Sequence, residues 1–203
     1  MTITTQIYEQ ILKFNNSPFS ATDFITLADV DTIRTILARF EESGKIRRLL
    51  RGIYHQPKFN EFLDEYELPS PEAIADAIAR KHNWTIAPSG NTAINLLGLS
   101  TQVPAKFTFI SDGPYRTFTY ENIHLEFKHT TNKNITGFSP KTSLVIQAFK
   151  SIGKNKITDQ IISILKNKLT NEEKVTLLIE SQKSTAWIYK HIKKICLEDP
   201  VNV

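Results

Sequence analysis

The sequence predicts an α+β fold: an N-terminal module of helices and one hairpin, a mixed α/β part with a small, mainly antiparallel sheet, and a C-terminal helical bundle. Three observations predict it. Between residues 3 and 43, apolar side chains recur at helical spacing. Over 45–56 and again over 84–130, short stretches alternate with period two between turn residues. From residue 139 onward the spacing is helical again, in four runs.

The first helix is read over ITTQIYEQILKF, where Ile7, Ile11, Leu12 and Phe14 stand near helical spacing. NNSPFS breaks it. Ser20 can cap a short second helix, ATDFITL, by accepting a backbone N–H. After the turn ADVD, Asp29 or Asp31 caps a third helix over 31–43, with Ile33, Ile36, Leu37 and Phe40 on one face. Thr32, Arg34, Thr35 and Arg39 fall outside that stripe. Gly44 suits the left-handed residue that ends a helix.

Lys45–Leu50 and Ile53–Gln56 read as strands joined at Arg51-Gly52, and Pro57 closes the second. Three helices and a hairpin in about 55 residues is the element order of a winged helix-turn-helix, whose third helix enters the DNA major groove. Arg34 and Arg39, with the hydroxyls of Thr32 and Thr35, would then face base edges. Lys45, Arg47, Arg48 and Arg51 would reach phosphates or the minor groove from the hairpin.

The acidic stretch 60–69 reads as a linker between a DNA-binding domain, 1–59, and a second domain, 70–203. Ser70 and Pro71 open a helix, PEAIADAIARKH. WTIAP is a strand and GNTAINLLGL a short helix; KFTFISD, YRTFTY and NIHLEFKHT are strands. These make the α/β part, 70–130. The helical part, 139–197, comprises SPKTSLVIQAFKSI, TDQIISILKNKL, TNEEKVTLLIESQ and STAWIYKHIKKICL, with Thr170 and Glu173 forming a capping box.

Charge is uneven along the chain. The net value is +4, and five of the seven arginines lie between Arg34 and Arg51, while the last third carries twelve lysines and no arginine. Arginine offers a planar fork that pairs with phosphate and base edges; lysine is a solvated point charge. The arginine cluster is therefore the stronger candidate for contact with a polyanion. Cys196 is the only cysteine, which excludes an internal disulfide and a thiolate-rich zinc site and fits a reducing cytoplasm. No run near about 20 residues is free of charge, so no membrane span is expected, and MTITTQIYEQ does not read as a signal peptide.

Enzymatic signatures are weak. The chain has no GxxxxGKS, GxGxxG or HExxH run, and its five histidines are scattered, so neither a cofactor nor a metal site is expected. Asp112 followed by Glu126-Phe127-Lys128 has the order by which some nucleases hold a divalent metal. The bland reading is a half-exposed strand, with His124, Glu126 and Lys128 on its wet face. Ser89–Asn91 begins a helix after a strand, where an anionic ligand can bind. Helix capping by Ser89 or Asn91 accounts for the same residues.

KIRRLLRGIYHQPKF, then LPSPEAIADAIARKHNWTIAPSGNTAINLLGLSTQVPAKFTFISDGPYRTFTY and IHLEFKHT, resemble the AbiEi-type antitoxins of type IV toxin–antitoxin, or abortive infection, systems. The likeness spans about residues 5–150. It implies a bacterial, non-enzymatic protein of phage defence, with an N-terminal winged helix and a C-terminal antitoxin domain. Such a protein represses its own operon at inverted repeats and counteracts a nucleotidyltransferase-like toxin. By motif match, Lys45–Gln56 takes the wing role and 31–43 the recognition role.

Overall fold

The computed structural model describes residues 1–131 and 135–197; the last residues of the expected second domain, 198–203, lie outside the described residues. The chain is α+β and divides into two compact units, residues 1–84 with 120–123, and residues 85–119 with 124 onward.

The first unit begins with α1, Ile3–Lys13, which buries Ile7 and Ile11. The expected second helix is a single 3-10 turn, Ala21–Phe24. The Asp23 carboxylate accepts both the Ser20 N–H (2.8 Å) and the Ser20 hydroxyl, a capping box that fixes the start of the turn. α2 then runs Val30–Glu42, capped by Asp29, whose carboxylate accepts the N–H groups of Asp31 and Thr32. Its buried stripe is Ile33, Ile36, Leu37 and Phe40, as the spacing predicts. Gly44 follows at φ +73° and turns the chain out of the helix.

β1, Arg47–Leu50, and β2, Ile53–His55, form an antiparallel hairpin with Gly52 at φ +72°. A bulge between Arg48 and Leu50 interrupts their register. Phe19 pairs with Tyr54 through two backbone bonds of 2.8 Å each, so the hairpin is sewn to the segment before the 3-10 turn. Ile7, Ile11, Phe19, Phe24, Ile33, Leu37 and Ile46 are all essentially inaccessible and make one core with Tyr54.

The stretch read as a linker holds a second hairpin, β3, Lys58–Asn60, and β4, Glu65–Glu67. Phe59 and Tyr66 meet edge to face at 5.1 Å, and Asn60 Oδ1 accepts the N–H groups of Phe62 and Leu63 across the turn. Carboxylates at Glu61, Asp64, Glu65 and Glu67 mask the short alternation that pairs these strands. α3, Pro71–His82, is capped by the Ser70 hydroxyl and belongs to the first unit. Arg80 ties it there, donating to Asp23 Oδ1 (2.9 Å) and to the Pro18 carbonyl (2.8 Å).

The second unit holds β5 (Ile86–Pro88), α4 (Gly90–Leu96), β6 (Phe107–Ser111) and, apart from their adjoining end residues Tyr120 and Ile123, β7 (Arg116–Tyr120) and β8 (Ile123–His129). The sheet order is β5-β6-β8-β7. β5 and β6 are antiparallel, but β6 and β8 are parallel, which makes the sheet mixed. β7 lies at the edge, so the chain passes β8 back into the centre. Leu125 and Phe127 face inward on β8, and Phe127 packs against Phe109 and Phe118. Four helices follow: α5 (Pro140–Ile152), α6 (Asp159–Lys168), α7 (Asn171–Glu180) and α8 (Ala186–Cys196). Val145, Phe149, Leu165, Leu177, Ile188 and Ile192 form their common core with Ala93 and Leu97 of α4. Thr170 and Glu173 make the expected capping box on α7. Among the described residues no helix is long and apolar enough to cross a membrane.

Candidate nucleic-acid interface

Within the first unit a cavity of about 420 Å³ opens beside the start of α2, lined by Arg34, Arg48, Arg51, Lys81 and the 3-10 turn residues Ser20–Thr22. Four cations from α2, the β1–β2 hairpin and α3 converge on it, and no carboxylate is among its lining residues.

The cations are held differently. Arg34 pairs with Asp31 at 3.1 Å, with both side chains largely in water, so the pair is weak and readily exchanged. Arg48 is more firmly placed. Its Nη2 donates to Glu41 Oε2, and its guanidinium stands 5.5 Å from the Tyr54 ring centroid. The hydrogen bond to Glu41 raises its pKa further above the ordinary arginine value. Nothing among the described residues pairs with the exposed guanidinium of Arg51, while its carbonyl accepts the Lys81 ammonium.

The structure separates the other expected contacts. Successive residues on a strand point to opposite faces, so Arg47 turns away from Arg48. Its guanidinium lies 3.8 Å from the Tyr66 ring centroid, a close cation–π contact with β4. Lys45 sits over the rings of Tyr8 and Phe40, at 4.8 and 5.4 Å. Arg39 is exposed on α2, five residues and about 140° around the helix from Arg34. The two threonines spend their protons internally: Thr32 Oγ1 donates to Asp29 Oδ2 (2.6 Å) and Thr35 Oγ1 to the Asp31 carbonyl (2.9 Å). They keep only acceptor lone pairs for a partner.

Sequence reasoning misses Lys81. At the end of α3, Arg80-Lys81-His82 reads as ordinary compensation of a helix C-terminus, and nothing local brings it back to a turn 30 residues earlier. Gly52 is the matching half. A Cβ there would stand 2.9 Å from Lys81 Nζ, on a backbone at φ +72°. Gly52→Ala should therefore cost about 1–2 kcal/mol by urea denaturation and displace Lys81, seen as shifted backbone amide resonances at the end of α3.

The remaining candidates lie apart. Glu126 faces Thr108 in the parallel register, four residues along β6 from Asp112, a run of about 13 Å. Glu126 accepts the Tyr115 hydroxyl (2.6 Å), the main cause of its lowered pKa, and pairs with Lys128 at 3.3 Å. Asp112 Oδ1 accepts the Thr85 N–H. Among the described residues no group of three acidic, histidine or cysteine side chains has metal-binding geometry. Ser89 stands at the N-cap of α4 without the expected side-chain capping bond; its N–H donates to the Thr108 carbonyl.

A family model described as "Family of unknown function (DUF6088)" matches residues 6–177. No functionally curated protein matches the sequence significantly. Among solved structures, the chain is similar to the RV2827C protein from Mycobacterium tuberculosis. The identity is 10% and the TM-score 0.42, over 97% of this chain and 76% of that one.

Proposed function

The chain belongs to the DUF6088 family of unknown function, and we propose that it is a DNA-binding transcriptional autoregulator that acts as the antitoxin of a toxin–antitoxin, or abortive infection, system. The observation that carries the DNA-binding part is the convergence of Arg34, Arg48 and Arg51 on one concave surface, from a helix and the hairpin behind it. In this reading α1, the 3-10 turn and α2 form the helix-turn-helix, α2 is its recognition helix, and β1–β2 is the wing. The Phe19–Tyr54 pairing supports that assignment, because it fixes the hairpin against the helices rather than leaving it as a mobile loop.

The partners proposed are double-stranded DNA at operator inverted repeats and a nucleotidyltransferase-like toxin encoded alongside. The toxin and the inverted repeats follow from the resemblance to AbiEi-type antitoxins, and a cytoplasmic setting fits the single cysteine. The second unit would carry the neutralising role. A metal-dependent nuclease built on Asp112, Glu126 and Lys128 is the second reading. The strand register disfavours it by spacing Asp112 from Glu126. A ligand sensor centred on Ser89–Asn91 is weaker still.

Single replacement of Arg34, Arg39, Arg47, Arg48 and Arg51 by Ala tests the DNA-binding reading, with operator affinity measured against salt. Each phosphate-contacting arginine removed should lower the salt slope by about one. Arg34, Arg48 and Arg51 should show the effect, and Arg47 less. Unchanged affinity and slope in all five variants would overturn the reading. Co-expression of the full chain with the neighbouring toxin tests the antitoxin role separately, by rescue of growth.

A further inference from the structure

We infer that the cavity beside α2 is a seat for one phosphorylated sugar, completed by Lys81; the class of ligand rests on the nucleic-acid reading above. The space, about 420 Å³ and open to solvent, has room for a phosphate with its sugar attached. Its charge sets the chemistry. Guanidinium and ammonium groups surround the space, and no carboxylate lines it.

The seat is built rather than incidental. Lys81 would ordinarily extend from the end of a helix into water. Here it crosses to the hairpin turn, where its ammonium donates to the Arg51 carbonyl and rests 2.9 Å from where a Gly52 Cβ would stand. Arg48 is fixed by Glu41 and Tyr54. Arg34 can leave its exposed partner Asp31 to close on an incoming oxyanion. Thr22 Oγ1, bonded to Ser20 Oγ at 2.7 Å, adds a hydroxyl to the same wall. A ligand here joins α2, the hairpin and α3, so α3 belongs to the DNA-binding body and not to a separate domain.

Two sources carry this chemistry: a nucleotide within duplex DNA and a free nucleotide. Duplex and dAMP titrations separate them, while Lys81→Gln and Lys81→Arg in the full chain test the seat, with Lys190→Gln on α8 as control. Operator affinity by fluorescence anisotropy is measured against salt, and amide shifts are followed during titration with dAMP. Lys81→Gln should weaken duplex binding about 3- to 10-fold and lower the salt slope by about one. Lys81→Arg should restore the slope, and Lys190→Gln should not alter it. An unaltered slope in Lys81→Gln, alongside a lowered one in Arg34→Ala, overturns the seat and leaves the DNA-binding reading standing. Absence of duplex binding, with dAMP shifting the Gly52 and Lys81 amides, overturns the DNA-binding reading and keeps the seat with a free nucleotide as occupant. No response to either probe overturns both. Circular dichroism of each variant verifies folding.

Discussion

Phe19→Ala should destabilise the first unit by about 3–5 kcal/mol, a large share of the roughly 5–15 kcal/mol that holds an ordinary domain. The Phe19 side chain is wholly inaccessible. Its ring packs at 5.3 Å from Phe14, 5.6 Å from Phe24 and 6.5 Å from Tyr54. Truncation keeps the two backbone bonds to Tyr54 but empties the space between α1, the 3-10 turn and the hairpin. The cavity is bounded by rigid aromatic rings and collapses poorly, which places the cost toward the upper end. Phe19→Leu fills more of the volume and should lose less. The two tryptophans make the measurement clean, since Trp84 lies in the first unit and Trp187 in the second. In a Trp187→Phe background, urea titration followed by fluorescence reports the first unit alone. A loss below about 1 kcal/mol would mean that the hairpin is not anchored through Phe19.

That anchoring also explains how much of the site was readable in advance. α2 was legible because Ile33, Ile36, Leu37 and Phe40 must share a face, which leaves Arg34 and Arg39 in water. The β1–β2 hairpin was legible from Arg51-Gly52 and the flanking alternation. Two features were hidden for different reasons. The β3–β4 hairpin carries only one apolar cross-strand pair, Phe59–Tyr66, inside a stretch whose carboxylates suggest a solvated linker. The divergence of Arg47 and Arg48 follows from strand period two, yet what Arg47 meets, the Tyr66 ring, depends on that hidden hairpin. Lys81 is hidden more deeply, because a long-range crossing leaves no local mark except a glycine already explained by its turn. In the second unit, the helices and strands follow their spacing. The parallel β6–β8 pairing does not, since strand order is decided by which edge β7 takes.

Acid should destabilise the first unit through His55. This side chain is 1% exposed on β2, with Nδ1 at 3.0 Å from Asn16 Oδ1 and Nε2 buried without a partner among the described residues. Burial, and then the charge of Arg47 opposite it in the hairpin, hold its pKa down to about 4, against 6.5 for the unperturbed group. Well above pH 6.5 the ring is neutral whether the chain is folded or not, and its contribution to stability is complete. Below that, the unfolded chain takes up the proton first, and the folded chain resists until about pH 4. Stability is lost across that window at up to about 1.4 kcal/mol per pH unit, close to 3 kcal/mol in total. Between pH 6.5 and 5, before unfolded carboxylates titrate, the loss should be about 2 kcal/mol. His55→Gln keeps an amide for Asn16 and does not titrate. The difference in its urea midpoint from the native chain should therefore shrink or reverse as pH falls over this range. A constant difference would show that His55 is not held neutral.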